Sequence, residues 1–180
     1  MSQDVREYSI TYAVKNLLLK KKWDVIAYNP PGSQGTFTIP NPGKDGAYRG
    51  QTGSESPDVI AVKKNLVLIV ECKPGFDASD ADKLTRLSSN VEKMEILTTL
   101  IRRVCTANSI ALPKSLEYIF ALAYVGKNHS INNLGYISVV VSEEIDISIL
   151  KAQSSYEDAF SAQLFPANTW DSSILALLED

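Results

Sequence analysis

The chain has 180 residues, 44% of them hydrophobic and 22% charged, which suits one soluble domain with a sizeable core. A net charge of −3 and a pI near 5.3 exclude a surface that is basic throughout, and the single histidine, His129, excludes a histidine-rich metal centre. No apolar run reaches a membrane span, residues 1–7 lack a signal pattern, and Cys72 and Cys105 have no metal-ligand spacing, so a cytoplasmic protein is expected.

Residues 4–22 read as an amphipathic helix without Pro or Gly. Val5, Tyr8, Tyr12 and Leu19 line one side, and Ile10, Val14, Leu17 and Leu18 another. Lys20, Lys21 and Lys22 place cations at the negative end of its dipole. Glu7 stands at helical spacing from Ile10, Val14 and Leu18, either at the core edge or as an ordinary first-turn acid.

Residues 23–28 read as a first strand. Residues 29–57 hold six of the nine glycines and five of the eight prolines, so they read as loop, with a short strand at 36–39. A loop this long is usually functional or disordered. Gln34, Lys44, Tyr48, Arg49 and Gln51 are candidate nucleic-acid contacts within it, against a surface insertion with no ligand.

Two apolar strands follow, 58–63 and 66–73, joined by a Lys64-Asn65 turn in which Asn65 is expected to tolerate a left-handed backbone. This register sets Asp58 opposite Glu71, and strand alternation puts Glu71 and Lys73 on that same face. Ile60, Val62, Val67 and Ile69 fill the rest of it, while Val59, Ala61, Leu66, Leu68, Val70 and Cys72 make the other face apolar too. Such strands are central and covered on both sides.

One long helix is expected over 79–105, capped by Asp77 or Ser79. Leu84, Leu87, Val91, Met94 and Ile101 form its core stripe. Lys83, Arg86, Asn90 and Lys93 form a polar, basic stripe, either a phosphate-contacting face or a solvated one. Strands at 118–125 and 136–141 and short helices at 154–164 and 169–178 complete the chain, with His129 in a loop.

Asp58, Glu71 and Lys73 are charges where a buried strand should carry none. Two adjacent carboxylates repel unless a cation sits between them, and Mg²⁺ is a cation held by one or two carboxylates plus phosphate oxygens. Asp58 and Glu71 are the candidate ligands, with the backbone carbonyl of Cys72 as a third oxygen. Lys73 is placed to handle the attacking water or the charge developing on phosphorus. The alternative is a salt bridge of Lys73 with Glu71 or Asp58.

Pro57-Asp58, a twelve-residue spacer and Glu71-Cys72-Lys73 resemble the PD-(D/E)xK nucleases. The resemblance implies a restriction-endonuclease-like α/β core, a central mixed β-sheet of about five strands flanked by helices on both faces. It covers about residues 4–142 of a single domain, with 143–180 as a helical tail. It also implies a catalytic role for Glu7, Mg²⁺ with Mn²⁺ as substitute, DNA as substrate and a homodimer. The expected activity is that of a type II restriction endonuclease. The alternatives are a structure-specific resolvase or repair nuclease, against which the acidic pI counts, and a non-catalytic nucleic-acid-binding module. Lys44, Arg49, Gln51, Lys83 and Arg86 are the candidate DNA contacts.

Overall fold

The structure, a computed structural model, describes residues 7–33, 37–41, 54–124 and 135–138. Helix α1 spans Glu7–Lys20, with Glu7 in its first turn and Lys20 in its last. It ends where Lys22 adopts φ 59, and Trp23 N–H closes back onto the Leu18 carbonyl at 2.9 Å. A left-handed lysine costs about 1 kcal/mol, and burial of Trp23 immediately after it offsets that cost. The buried side of α1 is the one carrying Ile10, Val14 and Leu18. The other expected side is not a core face: Tyr8, Tyr12 and Leu19 are about half exposed, because the helix lies on a sheet and offers it a single stripe.

Strands β1 (Asp24–Tyr28), β2 (Val59–Lys63), β3 (Leu66–Lys73), β4 (Glu117–Tyr124) and β5 (Gly135–Ser138) form one sheet in the order β1-β2-β3-β4-β5. The first two pairings are antiparallel and the last two parallel. The expected hairpin register holds, from Lys63 opposite Leu66 to Val59 opposite Val70. In the turn, however, Lys64 and not Asn65 takes the left-handed backbone, at φ 56. Asn65 instead ties the turn to β4, donating to Glu117 Oε1 at 3.0 Å and accepting from Glu117 N–H at 2.8 Å.

A parallel β3–β4 pairing needs a crossover, supplied by α2 (Ala78–Ser89) and α3 (Val91–Ala107). The single long helix expected here is therefore two. Asn90 breaks it in an extended conformation (φ −95, ψ 102), ending α2 and capping α3 by accepting from Lys93 N–H. The break rotates α3 out of phase with α2, so Val91 is 72% exposed rather than core-facing, whereas Leu84, Leu87, Leu97 and Ile101 are buried. Lys83, Arg86, Asn90 and Lys93 consequently do not form one continuous basic face.

The sheet is covered on both sides, as expected. Val59, Ala61, Leu68, Val70 and Cys72 pack with Ile10, Val14 and Leu18 of α1. Ile60, Val62, Val67 and Ile69 pack with Leu84, Leu87, Leu97 and Ile101 of α2 and α3. Each such aliphatic side chain contributes ~2 kcal/mol when fully buried. Of the strand expected at 36–39, the described residues 37–39 show one bridge, Ile39 with Glu55. Gln34, Lys44, Tyr48, Arg49, Gln51, His129 and the tail helices lie outside the described residues.

Candidate active site

The site lies at the C-terminal end of β3, between the start of α1 and the start of α2. Asp58 directly precedes β2, one step beyond the Val59–Val70 pair, and so faces the level of Glu71. Its position is fixed from two sides. Asn29, at the exit of β1, donates from its backbone N–H to the Asp58 carbonyl and from Nδ2 to the Pro57 carbonyl, both at 2.8 Å. The Asp58 carboxylate accepts from the Cys72 backbone N–H at 2.7 Å. Sequence reasoning missed Asn29; its position beside a Pro-Pro turn concealed it as a loop residue.

Glu71 is 3% exposed, and its Oε1 stands 2.7 Å from Lys83 Nζ of α2. The approach is a charge contact outside hydrogen-bond alignment, since Glu71 Oε1 makes no hydrogen bond among the described residues. Lys73 is not the partner of Glu71 or Asp58 that the salt-bridge alternative required. Its Nζ donates to Glu7 Oε2 at 2.9 Å and lies 3.9 Å from Asp80 Oδ2. Glu7 therefore faces the site and not open water.

Asp80 was not anticipated. It stands four residues before Leu84 and seven before Leu87, on the buried line of α2, and that spacing was the available signal. Its Oδ2 is buried and makes no hydrogen bond among the described residues.

Crowding of acids in a buried place raises their pKa values. For Asp58 burial is the main cause, augmented by Glu7 and opposed by the Cys72 N–H, Lys83 and Lys73, with the outcome about 6. For Glu71 burial again leads, opposed by Lys83 and augmented by Asp58 and Asp80, with the outcome about 7. Burial would lower the Lys73 pKa, but the hydrogen bond to Glu7 and the charges of Asp80, Glu7 and Asp58 outweigh it and raise it. The Cys72 thiol is raised well above its usual value by burial, and its side chain packs in the cluster beneath α1.

The donor set suits a hard divalent cation. Among the described residues, Glu7, Asp58, Glu71 and Asp80 meet only Lys73 and Lys83, a formal excess of two negative charges. No group of three or more His, Cys, Asp or Glu side chains among the described residues is disposed to hold a metal. Two carboxylates, a backbone oxygen, water and phosphate are the usual Mg²⁺ complement. Of the candidate DNA contacts, Lys83 turns inward to Glu71 and Arg86 is exposed; Lys93, expected in one stripe with them, is taken by Glu55 at 2.6 Å.

A mixed five-stranded sheet with helices on both faces and Asp58, Glu71 and Lys73 at one strand end is the fold of the PD-(D/E)xK nuclease superfamily. Within it, the sequence model described as archaeal Holliday junction resolvase (Hjc) matches residues 34–155, and the chain belongs to that family. The match spans Asp58, Glu71, Lys73, Asp80 and Lys83 but not Glu7. No curated protein and no solved structure gives a significant match. The family displaces restriction endonuclease as the favoured reading, and the acidic pI does not weigh against a resolvase. Whole-chain charge is a poor guide where four acids crowd one site. Among the described residues no helix is long and apolar enough to cross a membrane.

Proposed function

We propose that the protein is a divalent-metal-dependent endonuclease that cuts branched DNA, with the four-way junction as its preferred substrate. The observation that carries this is the buried Asp58–Glu71 pair beside Lys73 in a chain of the resolvase family. Asp58 and Glu71, with the Cys72 carbonyl, would hold Mg²⁺ or Mn²⁺. When bound, the cation supplies Lewis-acid polarisation of the phosphodiester and a lowered pKa for the attacking water. Lys73 has a raised pKa, which favours a protonated group that stabilises negative charge on the phosphoryl oxygens over one that accepts a proton. Glu7 holds that ammonium in place from α1. Cutting two strands of a junction symmetrically takes two such sites, hence a homodimer. Both cysteines are free and buried, which suits a cytoplasmic setting.

The test compares an end-labelled four-way junction with linear duplexes of its arms, in Mg²⁺ or EDTA. Paired metal-dependent incisions in the junction, with the duplexes intact, are expected. Cleavage of linear duplexes at a fixed sequence would return the restriction-type reading. No cleavage of any substrate would favour a binding module.

A further inference from the structure

Lys83 is out of character for a surface-helix lysine. Such side chains normally lay their stems along apolar surface and extend the charge to water. Here the charge turns inward: Nζ approaches 2.7 Å from an oxygen of Glu71, a residue almost wholly buried, and the Lys83 side chain is only 27% exposed. The oxygen it meets makes no hydrogen bond among the described residues. Lys73, the other ammonium in the site, is engaged by Glu7 and lies near Asp80. Lys83 is thus the cation at the metal-ligand candidate Glu71.

We infer that Lys83 is a built-in counter-ion that occupies the cation position at Glu71 in the metal-free protein and must leave for a divalent metal to bind. This rests on the assignment of Glu71 as a metal ligand. An ammonium and a divalent cation cannot share the same carboxylate oxygen at contact distance without strong repulsion. Metal affinity is therefore lowered by the free energy of detaching Lys83. Once detached, the side chain starts from the first turns of α2 with its charge free for a DNA phosphate. A bound backbone draws Lys83 off Glu71, so DNA and metal favour one another's binding, reciprocally by linkage. The device keeps the acids compensated without metal and couples loading of the site to substrate. Lys83 acts here as a positioning residue that controls occupancy.

The experiment is a Mn²⁺ titration of the full chain without DNA, followed by the electron paramagnetic resonance signal of free Mn²⁺. Wild type, Lys83→Met and Lys83→Arg are compared. Lys83→Met removes the charge and keeps most of the stem; it should bind Mn²⁺ at least about fivefold more tightly than wild type, in the range of ordinary coupling energies. Lys83→Arg, which retains a cation, should stay near wild type. Junction DNA should tighten Mn²⁺ binding less in Lys83→Met than in wild type. An unchanged or weaker affinity in Lys83→Met overturns the inference, since a lysine that merely orients Glu71 would give that result. Equal tightening in both variants overturns it as well. If wild type binds Mn²⁺ and Lys83→Met shows no gain, the metal-site assignment survives and the counter-ion role falls; if neither binds, both fall. Binding by Lys83→Met alone supports the inference. Thermal melts in EDTA establish that each variant folds, and Lys83→Gln replaces Lys83→Met if that variant does not.

Discussion

The Asp58 carboxylate is seated on the backbone N–H of Cys72, 2.7 Å away, so the candidate ligand on one side of the β2–β3 hairpin is positioned by the residue beside the other ligand. Asp58→Asn keeps an oxygen acceptor for that N–H and removes the charge. Asp58→Ala removes both, leaving a buried donor unmatched at a cost of about 1–3 kcal/mol. Urea denaturation should therefore separate the two variants, with Asp58→Ala the less stable, while junction cleavage falls by about a hundredfold or more in both. Full activity in Asp58→Asn would remove the charge from the mechanism.

Lys73 and Glu7 are 66 residues apart in the chain, one at the end of β3 and one at the start of α1, yet they form one hydrogen-bonded pair. Lys73→Met should lower single-turnover cleavage by about 10²–10³, the usual loss when one electrostatic donor is removed. Glu7→Gln keeps an oxygen acceptor for the ammonium and should cost less, about tenfold. A Glu7→Gln loss equal to that of Lys73→Met would mean that Glu7 itself touches metal or water.

The raised pKa values of Asp58, about 6, and Glu71, about 7, set the sign of a pH effect. Both groups keep protons in the folded metal-free protein to a higher pH than in the unfolded chain. Unfolding therefore releases protons between about pH 4 and 7, and stability falls as pH rises through that window. In EDTA, the Asp58→Asn/Glu71→Gln double variant should lose less stability than wild type from pH 5 to 8, by on the order of 4 kcal/mol. Parallel losses would contradict the assigned shifts. Mn²⁺ should stabilise wild type more at pH 8 than at pH 5, because metal competes with protons for the same oxygens.

Lys93 of α3 holds Glu55, which also bridges Ile39, at 2.6 Å with both side chains largely buried. This pair fastens the segment before the Pro57-Asp58 turn to the helical layer. Lys93→Met strands a buried carboxylate and should destabilise by about 3 kcal/mol, with Lys93→Met/Glu55→Gln recovering part of it. Calorimetric melts check the order of the three proteins. A double variant no better than Lys93→Met would show that the loss arises from packing of the lysine stem.

The sheet was legible because its strands are apolar on both faces and the hairpin has one register that gathers the charges; Val59 opposite Val70 follows directly from a Lys64-Asn65 turn. Glu7 was visible as a charge in line with Ile10 and Val14. The helix break at Asn90 was not, because Asn is compatible with a helix interior and its capping role appears only when its side chain meets Lys93 N–H. Asp80 and the inward turn of Lys83 were concealed by the same feature: three acids and one lysine near a helix start look like solvated surface until α2 is laid against β3. The direction in which Lys83 turns is a tertiary fact, and no local pattern specifies it.

The most direct measurement is a crystal of the wild-type protein soaked in Mn²⁺, with anomalous scattering recorded near the manganese edge. A peak coordinated by carboxylate oxygens of Asp58 and Glu71, with Lys83 moved away from Glu71, is the predicted result. An anomalous map without a peak between those carboxylates at saturating Mn²⁺, with Lys83 still on Glu71, would contradict the account at its centre.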